Sequence, residues 1–274
     1  MPDLIYIANN RLPTEKAHGL QIAQNCEALA GVGYRVMLIA PRRINTPEMR
    51  QALPLWDHYG VTRCFEFRRL PCIDLFPVFP RYHVAFLTQT ITFLAALLIW
   101  LLPRRKVVLY TRDMFLGVAL AALHPRARLV YEVHGVHQSG IGRRLQGFLA
   151  RRAQVVAITG HLAGEMRALG AQRVLVAHDG VRAARFAGVP DQAQARLEAG
   201  WPDQGFIVGW AGRLHLMGVD KGVGLLVEAL REMDGVSLAI IGGPDEMVDT
   251  LRQRWIAAGL DAGRFLAAGQ VPPA

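Results

Sequence analysis

Short apolar runs recur along the chain, and between them lie longer segments whose apolar positions fall three and four residues apart. The first spacing predicts buried strands and the second amphipathic helices. Residues 4–8 form a compact apolar strand, followed by a polar loop over 9–18. Gly19 then opens a helix with Leu20, Ala23, Leu29 and Ala30 on one face, Gly31 and Gly33 stop it, and residues 34–40 form a second strand. Residues 41–60 read as a polar loop without period, and 61–70 as a loosely alternating strand. Pro71, Pro77 and Pro80 mark an irregular connection. Further strands are expected at 107–110, 128–133, 154–158 and 173–177, with helices at 114–123, 141–152 and 160–169 between them. Such alternation implies a parallel sheet with helices on both faces. The polar run 182–204 reads as a linker with a short helix near 192–199, and a second set follows: strand 206–211, helix 221–230, strand 236–241, helix 245–258 and strand 264–266. The expected organisation is a first Rossmann-like domain over 1–181, a linker over 182–204 and a partial second one over 205–274.

Residues 84–102 are the most apolar stretch, and 19 residues suffice to span a bilayer. Thr88, Gln89, Thr90 and Thr92 interrupt it, and strands lie on both sides. The better expectation is a helix packed on the sheet with one face resting on a membrane, where the flanking Arg104, Arg105 and Lys106 suit anionic lipid.

Composition adds a bias. Net charge is +9, and only Lys16, Lys106 and Lys221 are lysines, so 28 of the 31 cations are arginine. A positive balance suits anionic ligands, an anionic membrane face or nucleic acid. No basic run is interleaved with aromatics, which ranks nucleic acid last and gives the expectation of no nucleic-acid partner. Cys26, Cys64 and Cys72 are odd in number and lack metal-ligand spacing, as expected for a reduced, cytoplasmic compartment. The N-terminus enters a strand at once, without the basic and apolar regions of a secretory leader.

Candidate chemistry concentrates at residues 206–222. An apolar strand breaks into Gly209 and Gly212, presents Arg213, and after a short loop reaches Lys221 and Gly222 at an expected helix start. Glycines admit a close ligand, helix N–H groups bind anions, and two cations neutralise a diphosphate. An ordinary strand-to-helix connection with two solvated cations fits the same residues. The segment Glu15, Lys16, Ala17, His18, Gly19 lies where the first strand ends, the side on which doubly wound sheets bind ligands. It is read either as a contact for phosphate or acceptor, or with Gly19 merely allowing close helix packing. Asp113 reads as a helix cap. No GxGxxG follows the first strand, which argues against a nicotinamide-dependent dehydrogenase.

Five pieces in order, residues 10–19, 132–135, 179–181, Gly212-Arg213-Leu214 with Lys221-Gly222, and 239–244, resemble the GT-B glycosyltransferases, in particular the large retaining glycosyltransferase family 4. The resemblance implies a GT-B-like α/β fold of two Rossmann-like parallel-sheet domains, the second incomplete. It implies a nucleotide-sugar donor, a glycan or lipid-linked acceptor, and a place in polysaccharide or lipopolysaccharide assembly on the cytoplasmic face of the membrane. Arg213 and Lys221 would then bind the donor diphosphate and Gly19 would lie near its phosphates. His134 would stand beside the transferred sugar as the catalytic-site residue, against the alternative of a structural histidine at a strand end. Lys16 and His18 would line the acceptor side. His137 and Asp179 are better read as loop residues. The family usually needs no tightly bound metal, and the chain has no DxD motif; no cofactor is expected. Two departures stand out. Arg213 and Lys221 are eight positions apart, with Met217, Gly218 and Val219 as extra length, and the acidic Glu-x7-Glu pair of the family does not occur. The expectation is therefore a truncated chain with impaired transfer, or a non-catalytic remnant that binds nucleotide sugar, a membrane or a partner protein.

Overall fold

The computed structural model describes residues 3–51, 54–79, 82–104, 106–125, 127–216, 219–269 and 271. It divides into two compact units, Met1–Arg182 and Ala183–Ala274.

In chain order the first unit holds β1 (Leu4–Ile7), α1 (Ala17–Gly31), β2 (Val36–Pro41), α2 (Pro47–Arg50), α3 (Leu55–Tyr59), β3 (Glu66–Leu70) and α4 (Tyr82–Leu101). It continues with β4 (Val108–Thr111), α5 (Met114–Leu123), β5 (Arg128–Val133), α6 (Gly140–Ala150), β6 (Gln154–Ala157), α7 (Gly160–Ala168) and β7 (Val174–Val176). The strands form one seven-stranded sheet in the order β3-β2-β1-β4-β5-β6-β7. Every pairing is parallel.

Successive strand residues point to opposite faces, so a central strand feeds two cores. Ile5 and Ile7 of β1 enter one core with Phe93, Leu97 and Leu101 of α4 and with side chains of α5, α6 and α7. Leu4 and Tyr6 enter the other, with Ile22, Ala23 and Cys26 of α1 and Leu55 and Tyr59 of α3. Helices thus cover both faces, as the alternation predicts. The edge strand β3 exposes Glu66, Arg68 and Arg69, charges that discourage further strand pairing.

Residues 41–60 differ from the expected featureless loop. They contain α2 and α3, of four and five residues, too short to leave a helical period in the sequence. α1 begins at Ala17, two residues before Gly19. The strand expected at 61–70 is regular only from Glu66; Val61 and Phe65 are buried from an irregular segment.

α4 is a helix of 20 residues. Its polar interruptions have a structural use. Gln89 and Thr90 are buried, where Gln89 Nε2 donates to Asn9 Oδ1 at 2.9 Å and Asn9 Nδ2 donates to Thr90 Oγ1 at 3.0 Å.

The second unit holds a 3-10 turn (Ala183–Phe186), α8 (Gln192–Ala199), β8 (Phe206–Ala211), β9 (His215–Leu216), β10 (Val219–Asp220), α9 (Gly224–Leu230), β11 (Val236–Ile241), α10 (Asp245–Ala257) and β12 (Phe265–Gly269). β8, β11 and β12 form a parallel three-stranded sheet with β11 central. Val208, Trp210, Leu238, Ile240 and Phe265 pack with Val227, Leu230, Val248, Leu251 and Trp255 of α9 and α10. Trp255 is fully buried and donates Nε1–H to the Asp261 carbonyl at 2.8 Å.

Candidate functional site

Each unit gathers its candidate functional residues at the carboxyl edge of its own sheet, the edge at which open α/β sheets bind ligands. In the second unit, Gly212 follows β8 and Gly242 follows β11, with φ of +133° and +134°. A side chain at Gly242 would overlap the Gly212 carbonyl, and its Cβ would sit 2.8 Å from the Gly212 carbonyl carbon, so this crossing admits only glycine. The two turns are laced together: Gly212 N–H donates to the Ile241 carbonyl at 2.8 Å and Leu214 N–H to the Gly243 carbonyl at 3.1 Å.

Arg213 lies between these anchors and is exposed. Eight positions on, Lys221 is brought back beside it, because β9 and β10 pair antiparallel, His215 opposite Asp220, and Lys221 N–H donates to the Leu214 carbonyl at 3.1 Å. The extra length read between the two cations is therefore a small hairpin that leaves them on neighbouring backbone; its Met217 and Gly218 lie outside the described residues. Among the described residues neither Arg213 nor Lys221 has a carboxylate partner.

One expectation fails here. The helix does not open at Lys221 and Gly222 but at Gly224, because Gly222 takes a φ of +74° that a helix excludes. The Gly222 N–H is already given to Asp220 Oδ1 at 2.9 Å. What these positions offer an anion is therefore the two cations rather than free helix N–H groups.

In the first unit the sheet order reverses direction between β1 and β4. Two polar clusters meet at that carboxyl edge. In the first, Asp113 caps α5 as expected, accepting from Leu116 N–H at 2.8 Å, and also accepts from Asn9 at 3.2 Å. Burial pushes the Asp113 carboxyl above its ordinary pKa.

The second cluster surrounds Glu132, whose side chain is only 4% exposed. His134 Nε2 and the Tyr110 hydroxyl both hydrogen-bond to it. Arg112 Nε stands 3.4 Å from Glu132 Oε1, and Asn25 Nδ2 donates to Oε2 at 3.4 Å. Burial raises the Glu132 pKa, but the bonds from His134 and Tyr110 and the Arg112 charge outweigh it, so the carboxyl titrates below its ordinary value. Arg112 also donates to Gln21 Oε1 at 2.8 Å, and Gln21 hydrogen-bonds Asp179.

Arg112 Nη2 lies 3.1 Å from His134 Nδ1. A guanidinium only donates, so Nδ1 is the acceptor and Nε2 carries the proton to Glu132. Both imidazole nitrogens are thus engaged within the protein. His134 is held in one tautomer and offers a ligand its ring rather than a free nitrogen.

Glu132, His134 and Asp179 bring ligand atoms within 4.8 Å of one another, a spacing a metal ion accepts. Arg112 already places a permanent cation against the first two, so the arrangement is an ion-pair network and no metal is assigned to it.

The remaining positions divide. Lys16 is exposed at the N-terminus of α1. His18 is half-buried, and burial, then the charges of Lys16 and Arg112, lower its pKa and keep it neutral near pH 7. Gly19 is buried, its N–H donates to the Lys16 carbonyl at 2.9 Å, and a Cβ there would overlap the Tyr59 hydroxyl and stand 2.6 Å from Thr14 Cγ2. Packing alone therefore requires this glycine.

Arg112, Tyr110 and Gln21 carry no motif that the sequence reveals, and Glu132 enters only within the piece 132–135. One signal was available: a carboxylate inside the apolar run of β5 is out of place unless it has partners.

No family model matches the chain, and no curated protein matches it. The fold is similar to solved structures. Anabaena Alr3699/HepE in complex with UDP is 17% identical over 98% of this chain and 69% of that chain, with a TM-score of 0.69. A glycosyltransferase from Rickettsia africae ESF-5 is 15% identical over 98% of this chain and 68% of its own, with a TM-score of 0.67. The lipopolysaccharide outer core galactosyltransferase WaaB in its apo form is 12% identical over 98% and 68%, with a TM-score of 0.61. Likeness at this identity speaks to the fold: the chain is GT-B-like, with two Rossmann-like parallel sheets, and spans about two thirds of the length of these structures.

Proposed function

We propose that the chain belongs to a retaining glycosyltransferase that moves a sugar from a nucleotide-diphosphate donor to a glycan or lipid-linked acceptor. The observation that carries the proposal is the pair Arg213 and Lys221, unpaired among the described residues and drawn together by a hairpin on a glycine-built strand edge. That a similar fold holds UDP in HepE supports it. In this reading Arg213 presents planar donors to the diphosphate oxygens and Lys221 adds a compact charge. Together they stabilise negative charge as it builds on the departing nucleotide diphosphate. On the first unit, Lys16 and His18 belong to the acceptor side. His134 is a fixed wall for the sugar, held by Glu132 and Arg112. Retention and membership of glycosyltransferase family 4 rest on the sequence motifs, and a cytoplasmic location on cysteine usage.

A calorimetric titration of the full chain with UDP-, GDP- and ADP-sugars tests the donor site. One of the three should bind, and Arg213→Ala should weaken it. Donor binding without transfer to any acceptor selects the second reading, a protein that binds nucleotide sugar without turning it over.

A further inference from the structure

α4 is long and apolar enough to cross a membrane, yet its two faces differ. One face buries Ala85, Phe93, Leu97 and Leu101 against the sheet. The other exposes Val84, Leu87, Ile91, Ala95, Ile99 and Leu102, spaced three or four apart and without a charge among them. Only 33% of its most apolar window is buried, whereas a core helix would be mostly covered. At 1.5 Å per residue the stripe runs roughly 30 Å along the surface. Ile73, Val78 and Phe79, in the connection before α4, are exposed as well.

Charge around this face is one-sided. From residue 73 to residue 165, a stretch that includes the connection before α4 and all of α4, α5 and α6, the chain has eleven Lys and Arg residues and four acids, Asp74, Asp113, Glu132 and Glu165. Asp113 and Glu132 are enclosed in the clusters described above, and Asp74 and Glu165 pair with Arg43 and Arg143 at 3.5 and 3.6 Å. All three helices pack on the same face of the sheet. Lys106, Arg128, Arg151 and Arg152, all exposed, follow the ends of these helices or open the next strand. By topology they share the amino edge of the sheet, opposite the edge that carries Arg112 and His134. Tyr82 stacks with Phe86 and meets Phe76 edge-on at one end of α4, and at the other Arg104 lies 3.7 Å over Trp100. Aromatic residues at both ends, aliphatic residues between them and uncompensated cations nearby match the composition of a helix lying in a lipid interface.

We propose that the outer stripe of α4 docks this protein on an anionic lipid bilayer, with the helix lying in the plane of the membrane rather than across it. A second copy of the chain is the weaker occupant, because two copies would bring the same cations together. This surface is independent of the nucleotide-sugar reading; either can fail alone.

The test is flotation of the full chain with vesicles of phosphatidylcholine alone and of phosphatidylcholine with phosphatidylglycerol. The chain should float with the anionic vesicles, release in high salt or alkaline carbonate, and stay in solution with the neutral ones. Leu87→Glu with Ile91→Glu, at exposed positions, should reduce bound protein at least tenfold while circular dichroism and the melting temperature hold. Lys106→Glu with Arg128→Glu should weaken binding to anionic vesicles. No flotation by the folded chain, equal flotation by the double-glutamate variant, carbonate resistance, or a dimer that those glutamates dissociate would overturn the proposal. UDP-sugar binding by the double-glutamate variant should be unchanged.

Discussion

Glu132 is the residue on which the first unit's site turns. It is buried, and four side chains converge on it. Its folded pKa lies below the unfolded value, so it contributes stability that is present above about pH 4.5 and is lost as pH falls through the folded pKa. Glu132→Gln should remove that acid-dependent part: urea titrations at pH 7 and pH 4 should show a smaller difference for the variant than for the parent. An equal difference would mean the network does not stabilise the fold. Gly19 makes a second residue-scale prediction. Gly19→Ala should cost about 1–3 kcal/mol through overpacking against Tyr59. Tyr59→Phe should cost about 1 kcal/mol for its bonds to Thr14. Together the two should cost less than their sum, because removing the hydroxyl makes room for the methyl. Additive losses in chemical denaturation would refute the contact.

Among the elements, apolar strands were legible in the sequence even at three or four residues, as β1 and β7 are, whereas the shortest helices and the two-residue strands were not. β5 and β11 fall where their apolar runs predict, since most of their residues are buried and apolar. α2 and α3 left no period, and β9 with β10 is too short for any pattern to reveal. That hairpin decided whether Arg213 and Lys221 stand on neighbouring backbone, a matter of strand pairing rather than spacing. Arg112 and Gln21 were illegible for a related reason: they come from β4's exit and α1, and only the sheet order makes them neighbours. The glycine crossing between the ends of β8 and β11 gives a prediction at this scale. Gly242→Ala faces a positive φ and a backbone neighbour that cannot rotate away, unlike the Tyr59 ring near Gly19. It should destabilise the second unit by about 2 kcal/mol or more, read as earlier loss of hydrogen-exchange protection in β8 and β11 than in β1. Undisturbed protection there would contradict the close crossing.

For the whole molecule, the sheet orders account for where chemistry can occur. The seven-stranded sheet reverses direction between β1 and β4, and the residues that follow those strands, Asn9 and Arg112, anchor its two polar clusters. The three-stranded sheet instead presents glycines and two free-standing cations at its carboxyl edge. The division of labour proposed above, donor on the second unit and acceptor on the first, is what the family resemblance implies, and that difference in charge and enclosure suits it. Its central claim is that Arg213 and Lys221 form a diphosphate site, and titration calorimetry of the full chain measures this most directly. The account predicts that a nucleoside diphosphate binds and that Arg213→Ala or Lys221→Ala weakens it about 10-fold or more, the equivalent of one charge-assisted hydrogen bond. Binding that both alanine variants leave unchanged, or a folded chain that binds none of UDP, GDP and ADP, would contradict it.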